Sequence, residues 1–119
     1  MVELGRLLTA MVTPMHEDGS IDWDQTRRLA KGLIDSGSDG MVVGATTGEG
    51  PTLNHEEKIR LWSEAKAAIG DTGSIVANTG NYSTADSIQL SKEAEEVGVD
   101  GLLLVVPYYN KPPQEGIYR

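Results

Sequence analysis

The sequence has 119 residues, 39% of them hydrophobic, and this length allows one domain with a modest core. Its formal net charge of −8 argues against nucleic-acid binding, because the phosphate backbone requires a basic surface. The sequence has no cysteine for disulfides or metal ligands, and its longest early apolar run is too short to span a membrane. We therefore expect a cytoplasmic protein that binds neither nucleic acid nor a membrane.

The first predicted unit is a strand followed by a helix. The apolar run at residues 7–12 predicts a strand that ends at Thr13-Pro14. After a polar loop, Asp22 is typical of a helix N-cap, with Gln25 three residues later. The helix is predicted to end at Ser36-Gly37.

The same order of strand and helix then recurs along the chain. Three further strands are predicted over apolar runs at residues 41–43, 74–78 and 102–106. Helices follow the first two of these runs, with Asn54 and Ser83 as N-caps, and residues 114–119 are typical of the opening of a fourth helix. Continuous apolar strands, in contrast to alternating ones, indicate a parallel sheet that is covered by helices.

An internal repeat supports a regular architecture. Gly37-Ser38-Asp39-Gly40 and Gly98-Val99-Asp100-Gly101 each end a helix and begin a strand, and Gly70-Asp71-Thr72-Gly73 is a looser copy. The repeating unit has about one-eighth of the length of a (β/α)₈ barrel of roughly 250 residues. We predict an α/β fold of the (β/α)₈ TIM-barrel family, in which residues 1–119 form only the first four β/α units, a half barrel that stops at the start of the fourth helix. A small open sheet of the flavodoxin type is the alternative.

The functional site of a parallel α/β fold is built from the loops that follow its strands. The loop after the second strand contains Thr46 and Thr47, whose hydroxyls and adjacent backbone N–H groups suit a small carboxylate. The loop after the fourth strand contains Tyr108 and Tyr109, whose phenols can act as an acid, a base or a proton relay. Their expected position on one rim of the sheet favours a functional site over a role in turns and packing alone.

Other ionisable side chains match functional sites less well. His16 and His55 lack the spacing of metal ligands, so we expect no metal site. The five lysines are predicted on helices or in a proline-rich loop, without the desolvation that a Schiff-base lysine needs. The cluster of Glu93, Glu95 and Glu96 is interpreted as a solvated helix face.

Two segments together resemble one protein family. Gly44-Ala45-Thr46-Thr47-Gly48-Glu49, followed by Pro51-Thr52-Leu53, and Pro107-Tyr108-Tyr109-Asn110-Lys111-Pro112 are similar to motifs of the dihydrodipicolinate synthase family. These enzymes are pyruvate-dependent class I aldolases of lysine biosynthesis, in the superfamily of N-acetylneuraminate lyase. The resemblance runs from the first strand to Arg119 and covers the first half of the family's barrel. The Thr-Thr pair favours the synthase over the sialic acid lyase.

The resemblance implies a role for each matching residue. Thr46 matches a threonine that relays protons between two tyrosines, and Thr46 with Thr47 matches the pair that holds the pyruvate carboxylate. Tyr109 matches the tyrosine that completes the relay of a neighbouring subunit, which implies a homo-oligomer, a dimer of dimers in the family. The implied substrates are pyruvate and aspartate semialdehyde. No cofactor is implied, because pyruvate binds covalently to a lysine as a Schiff base.

The family also has residues that this chain lacks. The Schiff-base lysine, the second relay tyrosine and the arginine that meets the semialdehyde carboxylate all belong to the half of the barrel that is not matched. We therefore predict that the chain alone has no aldolase activity. Ala45 replaces a more usual glycine, a change that can alter the backbone preference of the turn.

The feedback site for lysine in the family is matched only in part. His55 and Tyr108 correspond to residues that contact the inhibitor. Lys58, Tyr82 and Asp86 stand where lysine-sensitive members tend to have histidine, asparagine and glutamate. A cation at Lys58 repels a lysine ligand, so we expect weak or absent feedback inhibition.

Two alternative functions remain open from the sequence. The first is another pyruvate-dependent aldolase of the superfamily, such as a 2-keto-3-deoxy-sugar acid aldolase or sialic acid lyase. The second is a non-catalytic half barrel that serves as an assembly module by pairing its exposed sheet edges with another chain.

Overall fold

The computed structural model describes residues 3–118, in which strands and helices alternate. In chain order the elements are β1 (Leu8–Ala10), α1 (Trp23–Asp35), β2 (Gly40–Val43), α2 (His55–Ile69), β3 (Ser74–Asn78), α3 (Thr84–Val97), β4 (Gly101–Leu103) and α4 (Gln114–Tyr118). Two 3₁₀ turns, Thr46–Gly48 and Gly50–Thr52, lie between β2 and α2. The predicted order of strands and helices is therefore confirmed.

The four strands form one parallel sheet in the order β1-β2-β3-β4. When each strand pairs with the next one in the chain, right-handed crossovers place all the connecting helices on the same face. The helices pack in the same sequence, α1 against α2 and α2 against α3. A flavodoxin-type sheet would instead place β1 between β2 and β3. The observed order excludes this alternative.

The core lies between the sheet and the helices. Met41 and Val43 of β2 and Ile75 and Ala77 of β3 are fully buried, and they belong to one cluster with Trp62 of α2. Trp62 is the largest fully buried side chain. Because the sequence has no phenylalanine, the other buried side chains of this cluster are aliphatic or methionine, and the second indole, Trp23, packs against the cluster only partly buried.

The helices begin at the predicted capping residues. Asp22, Asn54 and Ser83 each accept a hydrogen bond from the backbone N–H three residues later. At the start of α2 the two residues form a complete capping box, because the Glu57 carboxylate also accepts a hydrogen bond from the Asn54 N–H at 2.8 Å. Within residues 3–118 no helix combines the length and the apolar character needed to cross a membrane.

The aspartates of the internal repeat tie neighbouring strands together. The Asp39 carboxylate, just before β2, accepts hydrogen bonds from the N–H groups of Leu7 and Arg6 at 2.8 and 2.7 Å, and these bonds lower the pKa of Asp39. Asp100, just before β4, accepts from the Ile75 N–H of β3 at 2.9 Å. Each aspartate therefore connects the strand that follows it to the preceding strand of the sheet.

The two edge strands are shorter than predicted. Strand β1 covers Leu8–Ala10 instead of residues 7–12, and β4 covers Gly101–Leu103 instead of residues 102–106. Leu102, Leu104 and Val106 are 42%, 59% and 64% exposed, because within residues 3–118 nothing packs over this edge. Contiguous exposed apolar side chains of this kind mark a contact surface, and no element within residues 3–118 covers this one.

The backbone passes very close to itself in the loop after β2. A Cβ atom at Gly50 would overlap the carbonyl oxygen of Gly44, and one at Gly48 would lie 2.8 Å from the carbonyl oxygen of Met11. Between the two glycines, Glu49 has a φ of 57° in the left-handed region. Only glycine fits at positions 48 and 50 without displacing the loop.

Replacing Gly50 by alanine is expected to lower the free energy of unfolding by at least about 2 kcal/mol, because backbone must move to admit the methyl group. The matched control is Gly32→Ala in α1, where a Cβ meets nothing within 4 Å. That change is expected to stabilise the helix by about 0.5–1 kcal/mol. Urea unfolding followed by circular dichroism measures both effects, and equal stability of Gly50→Ala and the parent chain would contradict the prediction.

Candidate functional site

The loop after β2 places Thr46 and Thr47 at the carboxyl edge of the sheet, where the carboxyl ends of its parallel strands lie side by side. Gly44, with a φ of 72°, turns the chain away from the strand. Ala45 then adopts an extended conformation with a φ of −79°, and residues 46–48 form a single 3₁₀ turn. Because any residue adopts this extended conformation, the alanine in place of the family's usual glycine introduces no strain.

Three side chains from separate parts of the fold hold this loop by its carbonyl oxygens, at distances between 2.6 and 3.2 Å. The pairs are Trp62 Nε1 with the Val43 oxygen, Asn78 Nδ2 with the Gly44 oxygen, and Thr13 Oγ1 with the Gly48 oxygen. None of the three donor residues is more than 8% exposed, so water does not compete for these hydrogen bonds.

Two further carbonyls of the turn bond to its own backbone. The Ala45 oxygen accepts from the N–H groups of Gly48 and Gly50, and the Thr46 oxygen accepts from the Glu49 N–H. Within residues 3–118, no group accepts a hydrogen bond from the N–H of Thr46 or Thr47, and their hydroxyls make none. Both threonines are exposed. The turn thus presents two backbone and two hydroxyl donors to solvent, which suits an anion.

The loop after β4 places two tyrosines at the same edge of the sheet. The ring of Tyr108 lies edge-on to that of Tyr82, with 5.3 Å between their centroids. Burial and the neighbouring Tyr82 raise the pKa of the Tyr108 phenol. Tyr109 has a left-handed φ of 64° and is 90% exposed. Tyr108 therefore packs within the chain, whereas Tyr109 projects away from it.

The parallel sheet brings the threonines and the tyrosines to the same edge, formed by the carboxyl ends of β2 and β4. Strand β3 lies between β2 and β4, so the ends of these two strands are about 10 Å apart at the usual strand spacing. In the described part of the chain, no hydrogen bond joins Thr46 and Tyr109. The roles predicted for both residues remain predictions.

His55 and Glu93 connect the start of α2 with α3. His55 Nε2 lies 2.6 Å from Glu93 Oε2. Hydrogen bonds from Gln89 and His55 lower the pKa of the Glu93 carboxyl. The interpretation of the three neighbouring glutamates as a solvated face is therefore wrong for Glu93, because it packs against a second helix, whereas Glu95 and Glu96 are exposed.

Lys58 lies one turn beyond His55 on α2 and is half-buried. Desolvation lowers the pKa of its ammonium group, and the nearby Asp86 carboxylate opposes this shift. The expectation that no lysine is desolvated is therefore wrong for Lys58, because packing between helices removes water that the sequence pattern does not reveal. Within residues 3–118, no three His, Asp or Glu side chains converge in a way that could hold a metal ion.

Sequence reasoning identifies the exposed threonines but misses the residues that hold their turn. Thr13 and Asn78 are predicted only as strand ends, and Trp62 only as one residue of the helix that Asn54 caps. A polar residue at the carboxyl end of a strand is the available signal for Thr13 and Asn78. No periodicity marks the indole N–H of Trp62 as a donor.

Comparison with known proteins places the chain in one group. The model of the "Dihydrodipicolinate synthetase family" matches residues 3–119. The 4-hydroxy-tetrahydrodipicolinate synthase of Moorella thermoacetica is 62% identical over 118 residues, which are 99% of this chain and 40% of that protein.

Solved structures of similar proteins give the same result. Dihydrodipicolinate synthase from Bacillus anthracis has a TM-score of 0.95 and 48% identity, over 99% of this chain and 40% of its own. The chloride-inhibited synthase from Acinetobacter baumannii, complexed with pyruvate, has a TM-score of 0.94 and 40% identity, over 98% of this chain and 40% of its own.

The chain spans about 40% of the length of these relatives. Their fold is the (β/α)₈ barrel, and the four consecutive β/α units observed here form half of such a barrel. The predicted fold class is therefore confirmed. The chain belongs to the dihydrodipicolinate synthetase family.

Proposed function

We propose that the full-length protein containing this chain is a 4-hydroxy-tetrahydrodipicolinate synthase, a lyase that condenses pyruvate with aspartate semialdehyde through a lysine Schiff base. The observation that carries the proposal is the turn at Thr46 and Thr47, whose donors have no partner within residues 3–118. The 62% identity to the Moorella thermoacetica synthase and the pyruvate complex of the Acinetobacter baumannii relative support the same activity.

The turn binds the carboxylate of pyruvate in this proposal. Thr46 and Thr47 offer backbone N–H and hydroxyl donors that are close together in the chain and exposed. Hydrogen bonds to a charged acceptor are stronger than bonds between neutral groups. Because the carbonyls of Gly44, Ala45 and Thr46 bond to other donors, they do not repel the anion, and the N–H groups of Thr46 and Thr47 need little rearrangement to receive it.

The hydroxyl of Thr46 relays protons with Tyr109 of a neighbouring subunit. This assignment is supported by the position of Tyr109, which is 90% exposed and held in a left-handed conformation that directs it away from its own chain. A ring so exposed contributes nothing to the core of its own subunit. The full-length protein is accordingly a homo-oligomer, with a dimer of dimers as its assembly.

The reacting amine comes from a part of the protein outside residues 1–119. Lys58, although half-buried, lies on α2 and not at a strand end of the carboxyl edge where the turn binds its anion. Residues 1–119 thus supply the carboxylate site and one part of the relay, as the first half of a barrel. No cofactor is required, because the imine itself activates pyruvate.

The isolated 119-residue chain is expected to form no imine with pyruvate. Lys58 lies on a helix, and Lys111, although in the loop after β4, is exposed and lacks the desolvation that a Schiff-base lysine needs. Incubation with pyruvate and borohydride, followed by intact mass measurement, tests this. The isolated chain should keep its mass of 12.8 kDa, whereas the full-length protein should gain one reduced pyruvate. A stable adduct on the isolated chain would contradict the prediction.

The Thr46→Val variant of the full-length protein is expected to lower kcat at least about 100-fold, because valine keeps the shape of the side chain but has no hydroxyl for proton transfer. Thr46→Ser should retain activity within about tenfold of the parent. The control is Thr84→Val at the exposed start of α3, which should leave the condensation rate unchanged. Equal rates for Thr46→Val and the parent would refute the relay.

We also propose that lysine inhibits the full-length protein weakly or not at all. Of the two residues that match inhibitor contacts, His55 is engaged by Glu93 at 2.6 Å, and Tyr108 packs on Tyr82. The ammonium of Lys58 lies close enough to Asp86 to feel its charge. A cation is thus already present where a lysine ligand would bring a second one.

Replacing Lys58 by histidine should lower the lysine concentration for half-inhibition by about tenfold or more, because it removes a like charge near neutral pH. The control is Lys92→His, which changes an exposed lysine of α3. Inhibition of the condensation rate by added lysine is the measurement. Strong inhibition of the parent protein by lysine would contradict the prediction, because it would show that the ammonium of Lys58 does not prevent lysine binding.

A further inference from the structure

Thr13 follows the first strand of the sheet and lies 35 residues before its hydrogen-bond partner in the loop after β2. Its hydroxyl donates to the carbonyl oxygen of Gly48 at 2.6 Å, and the residue is only 8% exposed. The two residues are so close that a Cβ atom at Gly48 would lie 3.1 Å from Thr13 Oγ1. Burial keeps water away from this hydrogen bond, and no other donor within residues 3–118 bonds to the Gly48 oxygen.

The hydrogen bond from Thr13 also fixes the peptide unit that it holds. Because this peptide is planar and trans, the Gly48 C=O and the Glu49 N–H point in opposite directions. The Glu49 N–H donates to the Thr46 oxygen at 3.0 Å. That oxygen shares a peptide with the N–H of Thr47, which therefore points away from the turn. Two peptide units thus link the Thr13 hydroxyl to the exposed donor of Thr47.

The backbone conformation of Glu49 opposes this arrangement. Its φ of 57° lies in the left-handed region, which is unfavourable for glutamate. Rotation of the peptide between Gly48 and Glu49 by half a turn would return Glu49 to a negative φ, and Gly48 has no Cβ to oppose the rotation. The same rotation would turn the Glu49 N–H away from Thr46. The hydrogen bond from Thr13 therefore holds this peptide in the less favourable conformation.

The other two side chains that hold the loop act on different peptides. Trp62 and Asn78 donate to the oxygens of Val43 and Gly44, which precede the turn. Neither oxygen shares a peptide with an N–H of the exposed threonines. Of the three side chains, Thr13 is the one that bonds inside the turn itself.

We propose that Thr13 is a positioning residue for the carboxylate of pyruvate, on which it acts through the backbone N–H of Thr47. The inference rests on the proposed function above. Thr13 itself contacts no substrate, because its hydroxyl is buried and bonded to Gly48. The proton relay of Thr46 uses a side-chain hydroxyl instead of this N–H. Loss of the Thr13 hydrogen bond should therefore weaken pyruvate binding more than it slows the reaction.

The experiment measures borohydride trapping of the pyruvate imine in the full-length protein at a series of pyruvate concentrations. Thr13→Val keeps the shape of the side chain but removes its donor. The pyruvate concentration for half-maximal trapping should rise about tenfold, because an oriented hydrogen bond to the carboxylate is lost, whereas the maximal trapping rate should stay within about threefold. Thr13→Ser keeps the donor and should behave as the parent.

Thr26→Val is the matched control for a loss of stability. Thr26 is fully buried in α1, and its hydroxyl also donates to a backbone carbonyl, that of Asp22, at 2.8 Å. Both valine variants lose one hydrogen bond of a buried threonine, so both should have a lower melting temperature than the parent. Only Thr13→Val should change the half-saturating pyruvate concentration, because the Thr26 bond lies at the start of α1 and not in the loop after β2.

The outcomes separate this inference from the proposed function. If the parent protein traps no pyruvate, the proposed function fails. If the parent traps pyruvate and a folded Thr13→Val variant has the same half-saturation, Thr13 has no positioning role. An equal rise in Thr26→Val, or a fall in the maximal rate alone in Thr13→Val, likewise overturns the inference. Thr13→Ala, which adds no bulk beside Gly48, provides the same test if Thr13→Val does not fold.

Discussion

The candidate site depends on the hydrogen bonds that fix the carbonyl groups in the loop after β2. In a planar trans peptide, the C=O of one residue and the N–H of the next point in opposite directions. The oxygens of Ala45 and Thr46 are occupied by later N–H groups of the same turn, so the N–H groups of Thr46 and Thr47 point the other way. Asn78, Trp62 and Thr13 hold the rest of the loop from three sides. The candidate anion site thus results from hydrogen bonds that occupy the carbonyl oxygens of Gly44, Ala45 and Thr46 elsewhere.

The parallel sheet separates the buried core of the protein from the candidate functional site. Trp62 and the buried side chains of β2 and β3 fill the space under the helices, and Asp39 and Asp100 connect strands at the amino end. The opposite end bears the threonine and tyrosine loops. Changes at the carboxyl edge therefore leave most of the core untouched, which is why barrels of this kind vary their chemistry through loops.

Local patterns predict most of the fold, whereas long-range contacts decide the details of the site. The bounds of β3, Ser74–Asn78, and the caps of three helices follow from short sequence signals. The donors Thr13 and Asn78 are 35 and 34 residues from the carbonyls that they bond, so their contacts depend on strand register and on close approach at Gly48. The partial burial of Lys58 likewise arises from packing between helices.

The open β4 edge bears on both stability and the proposed chemistry. Leu104 and Val106 are 59% and 64% exposed, and within residues 3–118 no element covers them. In a closed (β/α)₈ barrel, the next strand and helix cover the edge of each preceding unit. Under the proposed function, the elements that complete this core also bring the reacting amine, so closure of the barrel and alignment of the amine with the threonine turn would be one structural event. A half barrel, in which the turn is formed but the edges are open, would then bind the anion before it could react.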